Sequence, residues 1–168
     1  MDTPLILLDV DGVLNPLQRS PGYQRYRATP NGITYRLLLN PRHGPLLTGL
    51  AEATGAELIW ASYWTDTANE WIGPRVGLPI LRSIPIPPRD PRYSLGGWKA
   101  RHVAEWVGER PFVWIEDEPD VTDVLAAGPA LGPHLIVPVD PEEGLTDLHV
   151  EQARGWLEQL EQRDRYGQ

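Results

Sequence analysis

LILLDVDGVLN, residues 5–15, decides how the rest of the chain reads. Leu5 to Leu8 is an apolar run of strand length, and Gly12 supplies a turn after it. The run ends on Asp9, and Asp11 follows two residues later. A buried strand that finishes on two carboxylates needs a reason to keep charge there. Their spacing lets both carboxylates share one side while Val10 points away. Read alone, Asp-x-Asp-Gly is compatible with a plain turn, because both residue types favour turns. A calcium loop of the EF-hand kind also starts this way, but Leu14 and Pro16 stand where further oxygen ligands belong.

The composition narrows the setting. A net charge of −8 argues against a broad basic surface, though not against a local basic pocket. A hydrophobic fraction of 41% and a charged fraction of 23% are ordinary for a globular domain. The 168 residues suit one domain with a sizeable core. With no cysteine, disulfides and thiolate metal sites are excluded. The apolar run near the start is too short to cross a bilayer and has no basic residues before it. The expectation is a cytoplasmic chain with no membrane partner. Of the 15 basic residues, only Lys99 is a lysine. In a chain biased towards arginine, a single lysine is a candidate for a task that needs a compact point charge.

Strand and helix patterns alternate along the chain. Tyr23–Thr29 and Ile33–Leu39 flank Pro30-Asn31-Gly32 and predict a hairpin. Arg42–Thr54 has helical spacing, stopped by Gly55. Glu57–Ala61 predicts a buried strand, and Thr65–Val76 a helix capped by Thr65. Residues 79–96, rich in proline and arginine, read as a long loop. Trp98–Val107 predicts a helix, Pro111–Ile115 a strand, Val121–Ala127 a helix and Leu135–Val139 a strand. Thr146–Gln162 is an amphipathic helix, and residues 163–168 are expected to fray. Such alternation predicts an α/β fold: a Rossmann-like three-layer sandwich with a mostly parallel central sheet. The β-hairpin, within residues 16–40, would form a flap after the first strand. In such sheets ligands sit beyond the carboxyl ends of the strands. Asp9, Ser62 and Glu116-Asp117 all fall at predicted strand ends of that kind.

Taken in order, these pieces resemble the haloacid dehalogenase-like (HAD) superfamily of phosphohydrolases. Asp9-Val10-Asp11-Gly12 matches its first motif, and Ser62 in LIWAS its second. Lys99 in GGWKARHV matches the third, and Glu116-Asp117 in FVWIEDE the fourth. The stretch WASYWTDTANEWIGPRVGLP also resembles a bacterial subgroup of small, minimally capped members.

The resemblance implies a Mg²⁺-dependent hydrolase of phosphate esters that works through an aspartyl phosphate. Asp9 would be the nucleophile, since a carboxylate can attack phosphorus and divide a hard hydrolysis into two steps. Asp11 would be the acid and base, favoured by a pKa raised by its neighbours. Asp9, Asp11 through its carbonyl, Asp117 and Glu116 would hold the metal. Glu116 stands where an aspartate is more usual, so Asp117 takes precedence over Glu116 as the direct ligand. Lys99 would offset charge beside Asp9. Ser62 and the backbone after Asp9, including Gly12, would bind phosphoryl oxygens, with Trp64 at the site edge. Each residue also has a plainer role: Ser62 as a helix cap, Lys99 as a surface charge, the acidic run as a partner for a helix dipole.

With only a hairpin and a proline-rich loop where caps are usually inserted, the site should be open. An open site suits a phosphorylated small molecule, a polymer or the end of a nucleic acid. Alternation puts Tyr23, Arg25 and Arg27 on one hairpin face, where they could grip further phosphates or stack on bases. A solvated hairpin face is the plainer reading. A HAD-fold binding or regulatory module without turnover is the second functional reading, and a Lys99 turned away from Asp9 would favour it. Dehalogenation does not call for the carboxylates of Asp11 and Asp117.

Overall fold

Leu5–Leu8 forms β1, the central strand of a five-stranded sheet in which all neighbours run parallel. The computed structural model describes residues 2–167. After β1, β2 (Gln24–Ala28) and β3 (Tyr35–Leu39) pair antiparallel as a separate hairpin. Then come α1 (His43–Thr54), β4 (Glu57–Trp60), α2 (Ala68–Trp71), α3 (Gly73–Val76) and β5 (Arg82–Ser83). They are followed by α4 (Leu95–Val107), β6 (Phe112–Glu116), α5 (Val121–Ala127), β7 (His134–Pro138) and α6 (Asp147–Arg165).

The sheet order is β5-β4-β1-β6-β7. β1 is apolar at every position because both its faces are covered. Leu5 and Leu7 pack with Ile59, Phe112 and Trp114 beneath α4 and α5. Ile6 and Leu8 pack with Trp60, Val113 and Ile115 beneath α1 and α6. The result is the expected three-layer sandwich. Ala28, Leu37 and Leu39 of the hairpin join the α1/α6 layer, so one hairpin face is docked on the core. Arg75 of α3 fastens the hairpin from outside: it lies over the Tyr26 ring and donates to the Arg27 carbonyl at 3.1 Å.

The chain leaves β1 for β4 on one side and later returns to β6 on the other. The carboxyl end of β1 therefore lies at the switch point, where open parallel sheets form their ligand crevice. No helix among the described residues is long and apolar enough to cross a membrane.

Four expectations need correction. Thr65–Val76 is not one helix but a 3₁₀ turn followed by α2 and α3. Pro74 has no N–H to give to Glu70, and the chain breaks there. Thr65 is no helix cap: it adopts φ 50°, and its hydroxyl donates to the Trp64 carbonyl. The 79–96 stretch is not all loop, because Arg82–Ser83 adds β5 to the sheet edge and α4 starts at Leu95, capped by Ser94. At the other end, residues 163–165 continue α6, with Arg165 paired to Glu161; Gln168 lies outside the described residues.

Candidate active site

Three strand ends and one helix converge on the carboxyl edge of the sheet. Asp9 follows β1, Ser62 follows β4, and Glu116 ends β6 with Asp117 behind it. Lys99 reaches in from the second turn of α4. Its ammonium lies 3.1 Å from Asp9 Oδ1 and 2.6 Å from Glu116 Oε2. Asp9, Lys99 and Glu116 are all buried, at 3%, 2% and 1% exposure.

Gly96 lets the start of α4 lie close against Glu118 and Asp120. A Cβ there would stand 2.0 Å from Asp120 Oδ1. Ser94 closes the junction: its hydroxyl donates to Asp120 and accepts the Gly97 N–H at 2.9 Å. The ammonium lies 5.6 Å from the centre of the Tyr63 ring, and Tyr63 Oη donates to the Leu95 carbonyl. Tyr63 thus walls the cleft, a role that nothing in the one-dimensional pattern pointed to.

The turn after Asp9 is tight. The Val10 carbonyl accepts the N–H groups of Val13, Leu14 and Asn15, and the buried Val10 side chain points into the core. Gly12 has φ +81°, and a Cβ on it would come within 2.2 Å of Asp117 Oδ2. The glycine therefore lets Asp117 lie against the turn, next to Asp9.

Asp11 is held from two directions. Asn15 Nδ2 donates to its Oδ1 and Trp64 Nε1 to its Oδ2, each at 2.9 Å. Asn15 Oδ1 in turn accepts the Leu38 N–H at 2.8 Å, which ties the acid to β3. Trp64, expected at the site edge, is largely buried, gives its indole N–H to Asp11 and lines a small hollow beside it with Tyr63. Ser62 accepts the Trp64 N–H at 3.1 Å and also lines the cleft, so it serves the turn and faces the site.

Electrostatics follow from crowding. Burial works to lower the Lys99 pKa, but the Asp9 and Glu116 carboxylates more than offset it, so the ammonium is held firmly charged. Glu116 is pushed well above the usual carboxylate range, by burial first and the Asp9 charge next. Asp117 is raised to about 7, by burial first and then by Asp9. Asp11 is raised as well, mainly because the surrounding protein strips solvent from its carboxyl; the bonds from Asn15 and Trp64 pull the other way. Converting Trp64 to Phe removes one of those bonds. The expected outcome is a further rise in the Asp11 pKa, read as an upward shift of the matching limb of the kcat–pH profile. A loss of roughly tenfold in kcat should accompany it.

One lysine cannot balance this many carboxylates. Oxygens of Asp9, Glu116 and Asp117 lie within 4.8 Å of one another. The set is all oxygen, which fits a hard dication. Glu116 is the most committed of the three: Oε2 meets Lys99, while Oε1 accepts the N–H groups of Asp117 and Glu118. Asp117 is half-buried and lines the cleft itself, a space of about 550 Å³ shared with Asp9, Asp11, Gly12, Ser62 and Lys99.

Tyr23 does not join Arg25 and Arg27 on the exposed face, as alternation had suggested. It lies one residue before β2 begins and packs edge-on against His43, with ring centres 5.6 Å apart. Arg25 and Arg27 are exposed in a groove beside Asp11.

A family model, the HAD domain in Swiss Army Knife RNA repair proteins, matches residues 5–150. The chain belongs to this family. The match runs from β1 into α6 and so contains every side chain placed in the cleft above. As a member of the HAD superfamily the protein is a hydrolase acting on phosphate esters. HAD enzymes generally use a divalent metal, and the acidic cluster is a candidate place for one. Comparison with curated proteins and with solved structures gives no match.

Proposed function

We propose that the protein removes a terminal phosphate from a nucleic-acid strand, with Mg²⁺, through an aspartyl phosphate on Asp9. The observation that carries the chemistry is the placement of Lys99 on Asp9, with Asp11 braced beside them by Trp64 and Asn15. The nucleic-acid substrate rests on the RNA repair proteins for which the family is described.

Each residue has a defined task. Asp9 attacks phosphorus, and the bond from phosphorus to the leaving oxygen breaks. Asp11 gives that oxygen its proton, for which a raised pKa keeps the carboxyl supplied. Water then attacks the acyl phosphate and yields a proton to Asp11, which returns Asp9 and free phosphate. Lys99 and Ser62 face the phosphoryl oxygens, with the N–H groups of Val10 and Asp11 as further donors. When bound, Mg²⁺ neutralises the approach of a phosphate dianion to Asp9. Asp9, Asp117 and the Asp11 carbonyl would hold it, with Glu116 behind Asp117 as the second choice. A module without turnover would be favoured by a Lys99 turned from Asp9, and Lys99 faces Asp9.

Metal loading should follow pH in a defined sense. A carboxyl raised to about 7 steadies the metal-free fold while protonated, and that contribution fades as pH rises through about 7. Mg²⁺ must displace the same proton to bind. The rise in Tm on adding Mg²⁺ is therefore expected to be larger at about pH 8 than at about pH 5.5, in a thermal melt with and without the metal. The function itself is tested by phosphate release from RNA and DNA strands phosphorylated at either end. Release that needs Mg²⁺ supports the proposal, and no release from any of them would sink it.

A further inference from the structure

The cleft does not stop at Asp11. Past Asp11, Gly12 and Leu17, which it shares, runs a larger groove of about 910 Å³ lined by the hairpin. Arg25, Arg27 and Arg36 line it, and Asp11 is the one carboxylate among its lining residues. Arg27 and Arg36 stand directly opposite each other in the β2–β3 ladder. Arg25 lies two residues along, on the same face. Like charges placed opposite each other destabilise a ladder. The chain has 23 acidic residues, yet none of these three arginines forms an ion pair among the described residues. Among the described residues only Arg82, Arg92, Arg154 and Arg165 of the arginines do, and what sets the three hairpin arginines apart is that they line one groove together. Uncompensated positive charge is thus gathered at one place, beside the acid that faces the leaving group.

We infer that this groove holds the phosphodiester backbone of the strand whose terminal phosphate reaches Asp9, an inference that rests on the function proposed above. Guanidinium forks match phosphate oxygens in pairs. Alternate residues on a strand stand about 6.6 Å apart, similar to the step between phosphates in an extended single strand. The leaving oxygen must lie at Asp11, which both clefts share, so the rest of the strand departs along the arginines. A mononucleotide reaches only the mouth of the groove, whereas a strand runs along it. The enzyme therefore selects strands over mononucleotides.

The test is the triple variant Arg25→Gln, Arg27→Gln, Arg36→Gln. All three side chains are exposed, and removing the Arg27–Arg36 repulsion should leave Tm at or above the wild-type value. Two measurements are made. The first is kcat/KM on a single strand and on a mononucleotide carrying the same terminal phosphate. The second is strand binding against salt, in an Asp9→Asn background. The wild type should favour the strand by about tenfold or more, and the triple variant should lose most of that preference. Its plot of log affinity against log salt should flatten by about 2, from roughly 0.7 per phosphate contact. Equal losses on strand and mononucleotide, or an unchanged salt slope, overturn the inference. RNA and DNA arms should behave alike; strand binding that survives the substitutions on RNA also overturns it. Absence of phosphate release by the wild type would count against the hydrolytic reading instead, and the binding arm would still decide the groove.

Discussion

Asp9→Asn is expected to abolish turnover, by on the order of 10⁴-fold or more in kcat, the scale seen when a nucleophile is removed. An amide cannot form the acyl phosphate. The same substitution should raise the Tm of the metal-free protein. Asp9, Glu116 and Asp117 crowd their oxygens within 4.8 Å, with one ammonium among them. Taking one charge away relieves repulsion and lets Lys99 keep Glu116 as its partner. Burst kinetics on an end-phosphorylated strand and a thermal melt read the two effects separately. A variant that still turned over at a tenth of the wild-type rate would remove Asp9 from the chemistry. A lower Tm would mean that Asp9 is needed more as a partner for Lys99 than it costs in repulsion.

Lys99→Met should have the opposite effect on stability. It removes the ammonium that neutralises two buried carboxylates, at a cost of about 3–5 kcal/mol, as for other buried pairs broken from one side. The pH dependence follows from Glu116, whose carboxyl is already pushed upward by burial and by Asp9. Without the lysine it rises further. A carboxyl raised in the folded state contributes stability that is present at low pH and lost as pH rises. The variant should therefore come closest to the wild type at about pH 4 and fall furthest behind at about pH 8, in urea melts across that range. Activity should be lost at every pH, since the proposed reaction needs the ammonium beside Asp9. A pH-independent deficit in stability would show that the methionine disturbs packing around Tyr63 and not the charge balance.

Much of the architecture is legible in the chain because the central strands are buried on both faces and carry unbroken apolar runs. Leu5–Leu8 starts and ends where the run does. β5 was hidden for the converse reason: at two residues, inside a proline-rich stretch, it offers no periodicity to read. Alternation on the hairpin holds for Arg25 and Arg27 and fails for Tyr23, which stands just outside the pleat. At the site, the charged residues announce themselves by type and position. The residues that brace them do not. Asn15 works by spanning 23 positions to Leu38, and Trp64 by reaching back 53 positions to Asp11. Such reach belongs to the folded chain and leaves no local pattern.

Gly12 and Gly96 bear on how this protein can vary. At each, a single added carbon would meet a carboxylate oxygen at 2.2 Å or less. Neither can grow without moving an acidic side chain, Asp117 at Gly12 and Asp120 at Gly96. A library of all single substitutions, selected for activity, should find Gly12, which also holds φ +81° against Asp117, among the positions most closed to change. Natural drift along this chain is then confined less by what its reactive groups are than by the empty space kept open around them.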